Sequence, residues 1–313
     1  MADPFQGILE HQGAVMLDGG LATSLEERGH TLDSHLWSAK VLIDAPEEIV
    51  AVHRAFLDVG ADCVTTASYQ ASYEGLSRLG FDMVTTDELL IRSVTLARDA
   101  VEDFWLDVAR PRSRTRPLVA ASIGPYGAYL GDGSEYNGRY GVAEQDLIDF
   151  HRRRFKLLAT SGADLLACET IPSVDEARVL LELYRETPEA RGWISFSCRD
   201  GAHLNDGTPI EDAVDLCERA ERLVGIGVNC TAPQFVNELI TRILPRTQRS
   251  VIVYPNSGES WDAKNKEWTG SCSTESWVEM AEMWHKTGAR AIGGCCRIGP
   301  EVIRQVRGRI VSA

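Results

Sequence analysis

Eight short apolar, β-rich segments recur along the chain, each followed by a loop and then an amphipathic stretch. They begin near Ala14 (AVMLDGG), Asp62 (DCVTTAS), Pro117 (PLVAASIG), Asp164 (DLLACET), Gly192 (GWISFSC), Leu223 (LVGIGVN), Ser250 (SVIVYPN) and Arg290 (RAIGGCC). The intervening segments carry helical periodicity, as in Asp146–Leu158, where Leu147, Phe150, Phe155 and Leu158 fall on one face. Near-continuous apolar strands alternating with helices signal a parallel sheet covered on its faces. Eight such units in 313 residues fit a closed (β/α)8 TIM barrel, of α/β class, better than an open sheet.

The joints agree with that reading. Gly60-Ala-Asp62, Gly162-Ala-Asp164 and Gly288-Ala-Arg290 each link a helical pattern to the next strand, the glycine acting as a left-handed cap. Loops at the other strand ends are long: Pro125–Tyr140, Arg199–Pro209 and Asn256–Ser273. A barrel needs that asymmetry, because its active site is built from the loops after the strands. No Pro/Ser-rich linker interrupts the chain, so residues 1–313 are expected to form a single domain. The alternative, a doubly wound open sheet, lacks its usual phosphate signals: no G-x-G-x-x-G follows the first strand and no G-x-x-x-x-G-K-[ST] occurs.

Composition narrows the function classes. With 46 acidic against 32 basic residues the net charge is −14, and a nucleic-acid partner is not expected. The basic run Arg110–Arg116 reads as a solvated loop between a helix and a strand. No run of about 18 apolar residues is present, so no membrane partner is expected either. The N-terminus has neither the basic nor the apolar region of a signal peptide, which points to the cytoplasm. Eight cysteines in so long a chain are expected to be reduced thiols rather than a disulfide scaffold.

Three of those cysteines stand at strand ends. Cys230 closes Leu223–Asn229, and Cys295-Cys296 follow Arg290–Gly294. Three ligands with one position left open is the pattern of a catalytic zinc. Neighbouring side chains on a strand point to opposite faces, so Cys295 and Cys296 can share a metal only where the backbone leaves extended geometry. Gly293-Gly294 permits that departure. Ligand type then selects the chemistry. Histidine-rich sites keep zinc electrophilic toward water, whereas three thiolates make it a poor activator of water but a good holder of a fourth thiol as thiolate. The matching task is activation of a substrate thiol toward an electrophile that delivers a carbon group. Cys198, at the end of the fifth strand, and Cys272, in a long loop, are the residues that could close the shell and make the site structural; Cys63, Cys168 and Cys217 fit core positions.

Asp18 and Glu169 end the first and fourth strands, where a barrel presents groups to its mouth. Two ionised carboxylates there can accept hydrogen bonds from an ammonium group; alternatively Asp18 caps the helix that starts at Leu21. Tyr126, Tyr129, Tyr136 and Tyr140 stud the glycine-rich loop after the third strand, either to face an onium group or to pack the loop. No H-E-x-x-H and no G-x-S-x-G occurs, which leaves zinc hydrolysis and serine acyl transfer without their motifs.

With these residues in place the sequence resembles the homocysteine S-methyltransferase family, in its zinc-dependent branch that uses S-methylmethionine. The resemblance runs from Met16-Leu-Asp-Gly-Gly20 to Gly293-Gly-Cys-Cys296, through Leu36-Trp-Ser-Ala-Lys40, Thr66-Ala-Ser-Tyr-Gln70, Gly124–Tyr129, Asp132–Tyr136, Ala167-Cys-Glu-Thr170, Gly227-Val-Asn-Cys230 and Val253–Gly258. It implies Zn2+ on Cys230, Cys295 and Cys296, with the thiol of L-homocysteine as the fourth ligand. It implies that Asp18 and Glu169 hold the amino-acid ammonium, aided by the backbone of Gly19 and Gly20, with Asn229 also at the substrate. Trp37, Ser68, Tyr69 and Tyr126 are the candidates for the sulfonium methyl donor, S-methylmethionine or S-adenosylmethionine. Competing expectations are a zinc hydrolase on a barrel and a related methyltransferase that uses betaine or acts on selenocysteine.

Overall fold

The computed structural model describes residues 3–30, 37–258, 260–262, 267–269 and 273–311, the side chains of 37–40, 260–262 and 267–269 excepted. Eight parallel strands form one sheet: β1 (Val15–Met16), β2 (Cys63–Thr65), β3 (Leu118–Ile123), β4 (Leu165–Ile171), β5 (Gly192–Phe196), β6 (Leu223–Asn229), β7 (Ser250–Tyr254) and, last in the chain, Ala291–Ile292. Between the last two lie β8 (Ser260–Asp262) and β9 (Glu267–Thr269), a separate antiparallel ribbon, which makes Ala291–Ile292 β10. The spatial order is β1-β10-β7-β6-β5-β4-β3-β2. Its two ends meet through a parallel bridge between Leu17 and Cys63 and a 2.6 Å bond from the Asp62 amide to the Met16 carbonyl. This is the expected (β/α)8 barrel, and all eight strands lie in the segments where the apolar pattern places them.

Period-two alternation sorts the strand residues. Val15, Leu17, Cys63, Ala120, Leu165, Ala167, Trp193, Ile252, Tyr254 and Ala291 fill the interior, while Met16, Val64, Val119, Leu166 and Ile194 face the helices. Gly225 and Gly227 have no room for a Cβ: one placed on Gly227 would stand 1.7 Å from the Ile252 carbonyl oxygen, so β6 is thinned to let β7 close against it. The helix Gln6–Gln12 and Phe5 plug the floor, the Phe5 ring lying 6.0 Å from that of Trp193.

The helix joints are built largely as expected. Gly60 ends the helix Pro46–Val59 at φ 116°, and Gly288 ends Thr274–Thr287 at φ 136°. Gly162 also has positive φ, 92°, but its helix stops at Ala159 with Thr160 as cap, so this glycine serves the turn beyond. The long loops hold structure that periodicity did not predict. Pro125–Tyr140 contains the helix Tyr126–Leu130 and a 3-10 turn, Ser134–Tyr136, and β8–β9 interrupt Asn256–Ser273.

The basic run is not uniformly solvated. Arg114 is buried and donates to the carbonyls of Leu57 and Ala61 and to Asp62. Asp62, fully buried beneath the barrel, also accepts from Gln12, from the Met16 amide and from Arg307. One carboxylate therefore ties the closing strands, the plug and the last helix together. Removing one partner of a buried pair leaves the other charge uncompensated, so Asp62→Ala is expected to destabilise the fold by about 3–5 kcal/mol. Urea denaturation measures this; a loss under about 1 kcal/mol would remove Asp62 from that role.

Candidate active site

At the opposite end of the barrel, where strands run into their long loops, the inward stripes of β2 to β7 each end in a polar residue: Thr65, Ser122, Glu169, Ser195, Asn229 and Tyr254. Asp18, just after β1, accepts from the Thr65 amide at 2.8 Å and from its hydroxyl at 3.2 Å. It does not cap the following helix: Gly20 holds that position, without a side-chain bond. Glu169 accepts from the hydroxyls of Ser122 and Tyr254. Tyr254 in turn accepts from the Trp193 indole at 2.9 Å and contacts Ser195 Oγ at 2.5 Å.

The pairing of β4 with β5 shifts register between Cys168 and Ile171, and Thr170 there takes φ 61°. A bulge re-aims its neighbours, here Glu169, into the mouth. Asn229 holds the bulge. Its Oδ1 accepts from the Thr170 amide at 2.7 Å and from Ser195 Oγ at 2.8 Å, and its Nδ2 donates to Thr170 Oγ1 at 2.8 Å. The side chain expected at the substrate is thus occupied in fixing the backbone beside Glu169.

Cys230 and Cys295 are 65 residues apart in sequence, yet only β7 separates their strands. The end of β7 stitches both: the Cys230 amide donates to the Tyr254 carbonyl at 3.4 Å, the Cys295 amide to the Pro255 carbonyl at 2.9 Å, and the Ser257 amide to the Cys296 carbonyl at 3.1 Å. After Ile292 the chain leaves the strand and turns, with Ile298 N bonded to Cys295 O, which brings Cys295 and Cys296 to one side as Gly293-Gly294 suggested. A Cβ on Gly293 would meet the Asp18 carbonyl oxygen at 2.6 Å, one on Gly294 the Ile298 side chain at 2.1 Å. Gly19 and Gly20 are small for the same reason, facing the carbonyls of Ile298 and Cys295. Thr170, Cys230 and Arg297 are the described non-glycine residues at positive φ, and all three adjoin this site.

The sulfurs of Cys230, Cys295 and Cys296 lie within 4.8 Å of one another, and they are the one such cluster of potential metal ligands among the described residues. Cys230 and Cys295 are joined sulfur to sulfur, which corrects the expectation that every thiol is reduced. Side chains placed to clasp one metal ion are equally placed to bond each other, so metal ligation requires this pair reduced. Cys198 is buried apart from the cluster, and Cys63, Cys168 and Cys217 sit in the core as expected; Cys272 lies outside the described residues.

Of the donor candidates, Tyr69 stands at the mouth, hydrogen-bonded to Thr170. Ser68 is buried and engaged with Thr66 and the Ser122 carbonyl. Tyr126 packs its ring 5.0–5.5 Å from those of Phe150, Tyr140 and Tyr129, which is loop packing away from the sulfurs. The helix Trp37–Asp44 begins at Trp37, whose side chain lies outside the described residues. Ser122, Ser195 and Tyr254 escaped the sequence reading, although strict alternation places each in phase with the inward residues of its strand.

Comparison with known proteins decides the family. Residues 15–310 match the family model described as homocysteine S-methyltransferase. The chain belongs to the homocysteine S-methyltransferase family. It is 45% identical to homocysteine S-methyltransferase YbgG of Bacillus subtilis over 304 residues, 97% of this chain and 96% of that protein. Crystal structures of the homocysteine methyltransferase MmuM from Escherichia coli superimpose with TM-scores of 0.88 for a metallated form and 0.89 for an oxidized form. Both are 41% identical and cover 98% of this chain and at least 99% of theirs. Family membership makes the protein a methyltransferase.

Burial dominates the electrostatics of this homocysteine S-methyltransferase family member. It pushes the Asp18 carboxyl up to about 8, with the Glu169 charge adding to the rise and the Thr65 bonds opposing it. Burial likewise raises Glu169 to about 7 against the bonds from Ser122 and Tyr254. Both carboxyls are short of a cation. The unfolded chain ionises Asp18 near its ordinary 3.8, whereas the folded, ligand-free protein keeps the proton to about 8, so this group takes stability away as pH rises through that window. Asp18→Asn is therefore expected to flatten the fall of Tm between pH 4 and 8, measured without amino acid. An unchanged slope would remove Asp18 as its source.

Proposed function

We propose that this protein transfers a methyl group from a sulfonium donor, S-methylmethionine, to the thiol of L-homocysteine, yielding methionine. The observation that carries this reading is the convergence of three cysteine sulfurs with two buried, cation-seeking carboxyls in one barrel mouth. The donor set fits zinc, which thiolates bind readily, and Cys230, Cys295 and Cys296 would hold it once reduced. Zinc bound there supplies the acidity that keeps a substrate thiol as thiolate at neutral pH.

The chain's own residues do the rest. Asp18 and Glu169 receive the ammonium of homocysteine, and that cation restores both carboxyls toward ionisation. Gly19 and Gly20 bring the backbone close enough for the amino acid to lie against it. Ser122, Tyr254 and the Asn229–Thr170 clamp fix the direction of Glu169, which fixes where the substrate sulfur comes to rest. In the transfer the sulfur lone pair forms the new S–CH3 bond as the sulfonium C–S bond breaks. The electron pair of that bond stays on the departing neutral thioether, and the acceptor thiol's proton is released to solvent when the thiol is held as thiolate. Tyr69 faces the donor side. Among the described residues no histidine joins the sulfur cluster, and nothing in it favours activation of water.

The direct test is production of methionine from homocysteine and S-methylmethionine by reduced, zinc-loaded protein, together with X-ray absorption at the metal. Addition of homocysteine is expected to bring a fourth sulfur to the zinc; an oxygen or nitrogen ligand in that position would overturn the reading. Cys230→Ala, Cys295→Ala and Cys296→Ala are each expected to lose retained zinc and to reduce transfer to background while circular dichroism shows the barrel intact. Glu169→Gln is expected to raise KM for homocysteine at least about thirtyfold, the low end for truncating one partner of a buried charge pair. Steady-state kinetics read this directly, and an unchanged KM would reassign the ammonium.

A further inference from the structure

Buried acidic groups elsewhere in the fold have visible partners. Asp62 is met by Arg114 and Arg307. Glu176 is met by His151 at 2.8 Å, Tyr140 at 2.7 Å and the Tyr126 amide at 2.6 Å. Glu135, in a mouth loop, differs: the residue is half-buried, and its Oε2 is shielded from water without a hydrogen-bond partner, a property shared among the described acids by Glu74 Oε2. Burial, then the nearby Asp132 charge, push its carboxyl up, and only a backbone hydrogen bond opposes them. An uncompensated buried carboxylate is costly unless a cation arrives from outside.

Its position is fixed and specific. Glu135 lies in the 3-10 turn Ser134–Tyr136 of the loop after β3. A Cβ on Gly127 would come within 2.3 Å of the Glu135 amide nitrogen, so glycine there lets the loop close tightly behind it. Ser197 Oγ, just beyond β5, lies 3.2 Å from the Glu135 carbonyl and 3.4 Å from that of Thr170. The backbone of Glu135 is thereby tied, through Ser197, to that of Thr170, the residue after Glu169. The charge of Glu135 acts on Tyr69, Tyr136 and Cys296.

We propose that Glu135 is the counter-charge for the cationic sulfur of the methyl donor, with the rings of Tyr69 and Tyr136 beside it as onium-binding faces. This rests on the function proposed above, and the geometry of transfer assigns the roles. Asp18 and Glu169, at the strand ends, belong to the acceptor. In-line attack puts the donor sulfur on the far side of the methyl, in the loop layer where Glu135 is held. A carboxylate with aromatic neighbours favours a sulfonium over a neutral thioether of the same shape. It therefore separates substrate from product, because the donor loses its charge on transfer.

The test compares wild-type and Glu135→Gln protein, reduced and zinc-loaded, with S-methylmethionine and its neutral counterpart methionine as probes. The variant is expected to raise KM for S-methylmethionine at least about thirtyfold, the low end for loss of a desolvated charge contact. KM for homocysteine and the zinc content are expected to stay at wild-type values, as is affinity for methionine measured by calorimetry. Glu135→Asp is expected to recover part of the loss. A wild-type KM for S-methylmethionine in Glu135→Gln overturns the proposal, and so does an equal loss of affinity for methionine. Parallel loss of zinc or of homocysteine affinity shows a structural role and also overturns it. If Glu135→Gln behaves as wild type while the wild-type protein makes methionine, only this assignment falls; a wild-type protein that transfers from no sulfonium removes both.

Discussion

The site depends on β7 standing between two cysteine-bearing strand ends. Residues 65 apart in sequence become neighbours because β6 and β10 flank the same strand, and the backbone from Tyr254 to Ser257 bonds to both sides. The sulfurs are thus carried by main-chain hydrogen bonds of a closed sheet rather than by a flexible loop. A metal site held this way keeps its donors converged before any ion arrives, which reduces the ordering that binding must supply. The same convergence makes the Cys230–Cys295 pairing accessible. The side chain of Tyr254 reaches from this strand to Glu169, so one strand sets both the sulfur cluster and the direction of a buried carboxyl at the mouth.

Around that frame the protein gathers carboxyl groups where water is scarce. Asp18, Glu169 and Glu135 lie near the sulfurs, and burial raises all three carboxyls. In isolation such a cluster opposes folding. It becomes favourable when positive charge enters, and the proposed substrates bring positive charge in an ammonium and a sulfonium. The arrangement spends stability of the ligand-free protein on selectivity for cations. That is a stronger basis for a charged donor than the net charge of −14, which is a property of the whole surface.

Most of the architecture was legible because it depends on local pattern. Eight apolar segments, glycine-terminated helices and long loops after strands specify a barrel without knowledge of any contact. The cysteine cluster was legible too, because Gly293-Gly294 beside Cys295-Cys296 is a local sign of irregular backbone. Asp18 and Glu169 followed from their place at strand ends. What the sequence hid depends on register. Ser122, Ser195 and Tyr254 look like ordinary strand residues until their heights in the barrel are known, and the bonds of Asn229 to Thr170 depend on a bulge that no local pattern announces. Of the two readings open for the loop tyrosines, packing is visible for Tyr126, whose ring lies 5.0 Å from that of Phe150. Glu135 was passed over because an orphaned oxygen is a three-dimensional property.

The two ends of the barrel divide the work. At the floor, Asp62 gathers two arginines, a glutamine and a backbone amide, and its charge is neutralised within the protein. At the mouth the carboxyls have hydroxyls and amides for partners and no arginine or lysine among the shifts that define them. An internal cation there would have relieved the same strain and also cancelled the attraction for substrate. Strand closure therefore has to be secured at the far end, where a satisfied ionic cluster does not compete with binding. Carboxyls without a cation at one rim are tolerable because the other rim holds the sheet closed.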